Sequence, residues 1–276
     1  MDKTYSGVSS FDDIPRPGPA GPLDRLRRLI APERGDREDA QLAVALCFVA
    51  GMTNAGGFLA VGQYTSHMSG VVSGLADNLV LGARDMVLMG LSALGAFLAG
   101  AASSAILINW GRRRGNTSQY AMPLSLEAAL LLLFGALGIL RPAVPYFLNL
   151  AVPLLCFIMG LQNAIITKIS RARIRTTHMT GMVTDIGIEL GKMLYWNRRS
   201  QDAVRAVGQD GARVQADLPK LRLLSSLVGS FFGGGVLGAL GFKVIGFSVT
   251  VPLALLLLLL AIVPLIDDLR RAPAPR

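Results

Sequence analysis

Long apolar runs constrain the fold of this chain more than any other feature of its sequence. Near the C-terminus, residues 250–266 read TVPLALLLLLLAIVPLI and contain no charged side chain. About 20 helical residues cross the roughly 30 Å hydrocarbon core of a bilayer, and lipid offers an open backbone no hydrogen-bond partners. The sequence therefore predicts six transmembrane helices, at about 41–62, 86–109, 121–140, 145–167, 221–241 and 244–266.

The charge distribution agrees with an all-α, polytopic membrane protein. Only 16% of the residues are charged, whereas a soluble protein has about a quarter. With six crossings and the N-terminus inside, the inner segments hold every Lys and Arg except Arg84, Arg141 and Lys243, if Arg222 at a helix edge is included. This is the positive-inside pattern, which sets orientation. We expect a cell inner membrane protein with cytoplasmic termini, and the net charge of +9 does not indicate a nucleic-acid partner.

The chain repeats itself, which predicts two halves. The segment Cys47–Ala55 returns as Cys156–Ala164, and Thr65–Gly70 returns as Thr176–Gly181. Two further pairs follow in the same order, Gly95–Gly100 with Gly229–Gly234 and Pro123–Leu126 with Pro252–Leu255. Four matches in register predict a duplicated unit. The predicted divisions are a disordered cytoplasmic tail (1–38), a first half (39–142), a second half (143–268) and a short tail (269–276).

Each half contains three predicted helices and an additional motif segment, 63–83 in the first half and 174–194 in the second. Because three is odd, the second half is expected to be inverted relative to the first, as in many secondary transporters. The motif segments are interrupted by Gly, Asp, Asn and Glu, so we expect broken or re-entrant helices. The rival topology has eight crossings and parallel repeats, but it would place Arg112–Arg114 outside, against the orientation rule.

The motifs supply the candidate solute-binding residues. A half-helix that begins inside the membrane offers free amides and a partial positive charge to a polar or anionic solute. Hydroxyls before each histidine, such as Thr65 and Ser66, are expected to cap it. The candidate residues are Asn54, Thr65, His67, Ser69, Gly70, Asn163, Thr176, His178, Thr180 and Gly181. The alternative is that these residues only brace broken helices, and that Asn54 and Asn163 join helices by hydrogen bonds. Each asparagine shares one helix face with the Cys and Gly before it in the repeat, and we expect the glycines to permit close helix contact and the two Cys–Gly–Asn faces to meet between the halves.

Four titratable residues are candidates for proton or ion coupling: His67, His178, Glu127 and Asp185. Imidazoles titrate near neutral pH, and carboxylates inside membranes are often functional. Glu127 lies about two turns from the inner end of its helix, from which it could reach the interface. The spacing of the two Cys and two His residues does not suit a zinc site, and no catalytic motif is present. We expect neither an enzyme nor a cofactor.

The residues Gly51–Ala55, Thr65–Gly70, Gly160–Ala164 and Thr176–Gly181 resemble the YoaK family of bacterial membrane proteins, which is defined by a domain of unknown function. The resemblance covers residues of about 40–267. It implies a bacterial inner-membrane protein but no substrate.

The repeat favours a secondary carrier for an unknown small solute, with a site near the membrane midplane between the two halves. A non-transporting scaffold or sensor, and a passive channel, are the alternatives. Besides the lipid bilayer, a second copy of the chain is a possible partner, because the helix at 221–241 carries a face of small residues that permits close packing.

Overall fold

The computed structural model describes residues 36–114, 119–169, 178–195 and 214–271. Within these ranges the chain is helical and contains no strand. The helices are α1 (Asp36–Val61), α2 (Met68–Val80), α3 (Arg84–Arg113), α4 (Ala121–Ile139), α5 (Phe147–Ile169), α6 (Met179–Leu194), α7 (Leu218–Ile245) and α8 (Thr250–Arg271). Short 3-10 turns precede α5, at Arg141–Ala143, and α8, at Gly246–Val249. The predicted tails lie outside the described residues, except for 36–38 and 269–271.

Five helical stretches are long and apolar enough to cross a membrane: Asp39–Val61, Arg84–Arg113, Ala121–Ile139, Phe147–Lys168 and Leu218–Ile262. The last of these contains α7, the 3-10 turn and the first part of α8. Large apolar side chains are exposed along these helices, for example Leu88, Ile106 and Val244. Exposing so large an apolar surface to water would be energetically unfavourable, so these side chains contact lipid. The prediction of a multi-pass, all-α membrane protein is confirmed.

The two motif segments form helices that are too short to cross. The first motif contains α2, with 13 residues, and the second contains α6, with 16 residues. At 1.5 Å per residue these helices measure about 20 and about 24 Å, short of the roughly 30 Å of a hydrocarbon core.

The break between the last two long helices lies a few residues after the predicted position. We predicted a boundary at 241–244, but α7 continues to Ile245 and ends where Gly246 adopts a φ of +61°. Only glycine adopts this backbone conformation without strain, so Gly246 is where the helix can end. Sequence patterns locate such boundaries poorly when both sides are apolar.

The long helices pack in three main pairs: α1 on α7, α3 on α5, and α4 on α8. The motif helices pack within their own halves, α2 on α3 and α6 on α7. Exchanging the first half with the second converts the α1–α7 pair into the α5–α3 pair and the α2–α3 pair into the α6–α7 pair. The packing therefore has the same repeat as the sequence.

Glycines from both repeats allow two of these pairs, α1 with α7 and α3 with α5, to touch backbone to backbone. A Cβ added at any of these glycines would overlap a carbonyl oxygen of the partner helix. The four contacts are Gly51 with Phe231, Gly234 with Phe48, Gly160 with Phe97, and Gly100 with Phe157. The first two contacts join α1 to α7, and the last two are their repeat equivalents joining α5 to α3. The repeated glycines thus build the same crossing twice.

The contacts also fix the relative directions of the helices. Along α1 and α7 the pairs advance together, from Val44 with Ser230 to Met52 with Gly238, so these helices are parallel. Gln162 Nε2 donates to the Leu46 carbonyl (3.2 Å), whereas Gly57 lies against Leu155, so α1 and α5 are antiparallel.

The third pair, α4 and α8, is antiparallel as well. Gly135 near the end of α4 lies against Thr250 at the start of α8, and Gly138 lies against Phe247 just before it.

Candidate functional site

The chain folds back along α1 immediately before the first motif helix. Helix α1 ends at Val61, and the next residue, Gly62, has a φ of +76° and donates its amide to the Phe58 carbonyl (2.7 Å). The ring of Tyr64 then stacks on Phe58, with centroids 4.5 Å apart, and the Ser66 hydroxyl donates to Asn54 Oδ1 (2.9 Å). From Tyr64 to Ser66 the loop thus runs antiparallel to α1 and passes one turn of that helix, from Phe58 back to Asn54. Ser66 lies about 10 Å back from the end of α1.

Helix α2 begins beside this part of α1, directly after Ser66, with His67 as its N-cap residue. The prediction that a hydroxyl caps this helix was wrong for the first motif, because no side chain caps it. The Ser66 hydroxyl is engaged with Asn54, and Thr65 Oγ1 is buried without a hydrogen-bond partner in the described residues. The Met68 amide at the start of α2 donates to the Ser66 carbonyl (3.1 Å), whereas the next amides of the first turn, those of Ser69 and Gly70, have no side-chain cap and can reach a ligand.

Each motif histidine packs over the glycine three residues after it. The ring of His67 is 3.4 Å from the position that a Cβ on Gly70 would occupy, and a Cβ on Gly181 would overlap the ring of His178. Both histidines are N-cap residues and both are exposed. The glycine lets the imidazole lie against the first turn of its helix, so both motifs hold the ring at a helix N-terminus.

An open cavity of about 280 Å³ lies beside the first motif. Helix α2 supplies His67, Gly70 and Asn78 to its wall, and α5, from the other half, supplies Cys156. The other lining residues are Gln63, Tyr64, Val71, Gly74, Met86, Met89, Gly90 and Ala93. A volume of this size suits a small solute. Of the predicted site residues, the cavity brings together His67 and Gly70. Asn54 accepts the Ser66 hydrogen bond and does not line the cavity, and Ser69 is exposed on α2.

The second motif has a different environment. His178 and Thr180 are exposed, whereas Thr176 lies outside the described residues. Asp185, predicted as a coupling residue, lies 3.3 Å from Lys220 Nζ on α7, and its side chain is 44% exposed. A pair this exposed contributes at most about 1 kcal/mol to stability.

Glu189 anchors the second motif helix to α7. Its side chain is only 2% exposed, and its carboxylate accepts from Lys192 Nζ (3.0 Å) and from the backbone amide of Asp217 (2.9 Å), the N-cap residue of α7. Lys220 Nζ lies 3.7 Å away. The hydrogen bond from the Asp217 amide and the one from Lys192 lower the pKa of Glu189 below its usual value of 4.5. The matching residue of the first motif is Asn78, which is uncharged and donates within its own helix to the Gly74 carbonyl.

Because the pKa of Glu189 is lowered on folding, its ionised form stabilises the fold above the unfolded pKa, and this stabilisation is lost as the pH falls through the folded pKa. We expect Glu189→Gln to lower the melting temperature at pH 7, and the difference from wild type to shrink as the pH falls below 4.5 and through the lowered pKa of the folded state. The measurement is thermal unfolding in detergent between pH 7 and pH 3. Asp185→Asn, which alters an exposed pair on the same helix, is the matched control and should change little. A Glu189→Gln deficit that persists unchanged at pH 3 would contradict this assignment.

The remaining predicted site residues lie away from the cavity. Asn163 Nδ2 donates to the Met159 carbonyl of its own helix (2.7 Å). The Cys–Gly–Asn faces of α1 and α5 do not meet through their glycines, because Gly51 faces α7 and Gly160 faces α3. Glu127 was predicted to be able to reach the membrane interface, but its side chain is fully buried in the protein.

Sequence reasoning missed several residues of this region. It did not select Ser66, Gln63 or Asn78 as site residues, nor assign Glu189 an anchoring role. The available signal was the repeat, since Asn78 and Glu189 occupy matching positions. The contact between Ser66 and Asn54 had no sequence signal, because it depends on the loop reversing along α1.

Comparison with known proteins identifies the family of the chain. The family model described as "Protein of unknown function (DUF1275)" matches residues 42–263. The chain is also similar to the UPF0700 transmembrane protein YoaK of Bacillus subtilis (strain 168), with 26% identity over 163 residues, covering 58% of this chain and 71% of that protein. No solved structure matches the chain. The resemblance to the YoaK family is confirmed, and the chain belongs to the DUF1275 family of YoaK-like membrane proteins of unknown function.

Proposed function

We propose that this protein is a secondary carrier for a small solute, built from six spans as two inverted halves of three. In each half the motif segment enters the membrane and leaves by the same face. The observation that carries the proposal is the fold-back of residues 62–67 along α1 beside an open cavity. Irregular backbone is tolerated at membrane depth only where it lines a cavity or is buried in protein, and carriers use it to bind solutes.

The helix directions support the inverted arrangement. An inverted repeat makes matching helices antiparallel, as α1 and α5 are, and as α4 and α8 are. Eight crossings with parallel repeats would make both pairs parallel. The shortness of α2 and α6 also favours six spans over eight.

Charge supports the orientation with cytoplasmic termini in the cell inner membrane. Arg112 and Arg113 end α3, Lys168 lies in the last turn of α5, and Lys220 lies in the first turn of α7. Because α3 and α5 end on the face where α7 begins, these basic side chains mark one side as cytoplasmic. The cavity beside the first motif then opens to the outer side.

The solute site is proposed at the N-terminus of α2. The uncapped amides and the helix dipole favour an anionic or strongly polar group, and His67 can donate or accept a hydrogen bond there. No charged side chain is among the residues that line the cavity in the described part of the chain. His178 at the start of α6 is the equivalent at the inner face. Glu189 holds α6 on α7, so this conformation is proposed to be open outside and closed inside.

The test is solute flux in proteoliposomes. Vesicles with and without the protein are loaded with a mixture of small metabolites, and the solutes that leave or exchange are identified by mass spectrometry. A carrier gives saturable exchange of one solute or a few related ones. Unsaturated flux would indicate the channel alternative, and absence of protein-dependent flux would indicate a scaffold or sensor.

A further inference from the structure

Glu127 on α4 is the carboxyl group least expected at its position. Its side chain is 0% exposed, and neither carboxyl oxygen has a hydrogen-bond partner among the described residues. Transferring an ionised carboxylate into apolar surroundings without a donor or counter-ion is very costly. Carboxyl groups inside membrane spans are therefore rare and usually functional.

The pairing of α4 with α8 places Glu127 level with apolar residues of α8. Gly135 is level with Thr250, and these helices are antiparallel. Two turns earlier on α4 and two turns later on α8, Glu127 is level with about Leu258. The buried residues of α8 around this level, such as Leu257 and Ala261, are apolar. Glu127 is thus about two turns from the start of α4 and lies level with apolar residues of α8.

Two more buried side chains with an unpaired polar atom lie on the helices packed against α4, although the Nε2 of one of them, Gln162, donates to the Leu46 carbonyl. Ser104 on α3 and Gln162 on α5 are both 0% exposed, and neither Ser104 Oγ nor Gln162 Oε1 has a partner in the described residues. Helices α3, α4 and α5 pack on one another. Each of the three mutually packed helices α3, α4 and α5 therefore buries one polar side chain that has an unpaired atom among the described residues.

Charged groups on the elements around α4 lie near helix ends. Those with described side chains are Arg84, Asp85, Arg112 and Arg113 on α3, Lys168 on α5, and Arg141 in the turn after α4. Cys156 on α5 is a further titratable group, and Tyr120 directly precedes α4. The side chains of 267–271 on α8 lie outside the described residues.

The repeat indicates that the fold does not need a carboxyl group at this position. The residue of the second half that matches Glu127 is Leu256, and the residue that matches Ser104 is Gly238. Leucine therefore serves as the packing residue in the same helix position of the other half. The two halves differ in chemistry where the polar groups occur, so packing alone does not account for Glu127.

We propose that Glu127 holds the coupling proton of this carrier, as a protonated carboxylic acid in the conformation described. This inference rests on the proposed function. Binding a proton neutralises the carboxylate, and releasing it leaves an anion that needs water. Release therefore requires a conformation in which Glu127 is hydrated, which links proton exchange to the rocking of one half against the other.

A proton is favoured over a sodium ion. Sodium sites in carriers use carbonyls of unwound helices, whereas α4 is unbroken from Ala121 to Ile139. Its carbonyls are engaged along the helix and are not available to complete a shell of oxygen ligands around an ion.

Infrared difference spectra of wild type and Glu127→Gln in liposomes test this inference without any solute. We expect a carboxylic-acid C=O band at pH 7 that is lost in the variant, fades at alkaline pH, and is unaffected by replacing KCl with NaCl. Glu127→Leu, which installs the residue of the other half, should remain folded and melt no lower than wild type, because it removes unpaired polar atoms. A missing band at pH 7 in both salts would overturn the proposal, and so would a band present in KCl but absent in NaCl, which indicates sodium.

Once a solute is identified, the same variants test coupling. A pH gradient should drive solute accumulation in wild type but not in Glu127→Gln, and accumulation by the variant would also overturn the proposal. The acid band without any saturable flux would instead refute the carrier and leave a protonated Glu127. Saturable flux without the band would retain the carrier and remove Glu127 from the coupling role.

Discussion

Replacing Gly100 or Gly234 with alanine is expected to cause a large loss of stability, although each change adds a single methyl group. A Cβ at Gly100 would overlap the Phe157 carbonyl oxygen, and one at Gly234 would overlap the Phe48 carbonyl oxygen. Backbone cannot move aside as a flexible side chain can, so the helices must separate. Overpacking costs about 1–3 kcal/mol, and a forced separation of helices costs at least the upper part of that range.

The chain provides a control for each of these substitutions on the same helix. Gly95 on α3 and Gly229 on α7 occupy matching repeat positions, and a Cβ at either would meet nothing within 4 Å. Alanine there should leave stability unchanged or raise it by up to about 1 kcal/mol, through its better helix propensity. Thermal unfolding in detergent and the yield of monodisperse protein measure the difference. Equal melting temperatures for Gly100→Ala and Gly95→Ala would contradict the backbone contact between α3 and α5.

The double variant His67→Ala with His178→Ala is expected to abolish solute transport while leaving folded protein. Both imidazoles are exposed at helix N-termini, so their removal should change the melting temperature little. Their loss removes the only imidazoles of the chain from the two proposed solute sites. The measurement is the saturable flux of the proteoliposome assay.

The matched control for the histidine variant is Val72→Ala with Val183→Ala. These valines occupy equivalent exposed positions in the two motif helices, at 51% and 55% exposure, and they should be dispensable for transport. Intact transport by the histidine double variant would remove both residues from the mechanism. Loss of transport in both double variants would indicate that the motif helices are merely sensitive to truncation.

The helical scaffold could be predicted because two strong signals coincide. Runs of about 20 apolar residues locate the long helices, and the repeat relates Cys47–Ala55 to Cys156–Ala164. The glycines within these repeats predicted close helix contact, and Gly51 and Gly160 do make it. Their partners could not be predicted, because the sequence does not indicate which helix lies opposite a given face.

The local structure of the motif was harder to predict. Ser66 was expected to cap α2, but its hydroxyl reaches Asn54 because the loop reverses at Gly62. A tertiary contact thus replaces the local one that the sequence favoured. Glu127 lies about two turns from the start of α4, as predicted, but the packing of α3, α5 and α8 around α4 buries its side chain and keeps it from the interface.

The arrangement of the two motifs is the central claim, and cysteine labelling tests it most directly. Ser73 and Thr184 are exposed at matching positions on α2 and α6. Each is replaced singly by cysteine in a Cys47→Ala, Cys156→Ala background, which removes only buried thiols. An impermeant thiol reagent is then applied to each side of sealed vesicles.

We expect labelling at position 73 from the outer side only and at position 184 from the cytoplasmic side only. Labelling of both positions from the same side would contradict the inverted halves, and the carrier proposal would lose its main support.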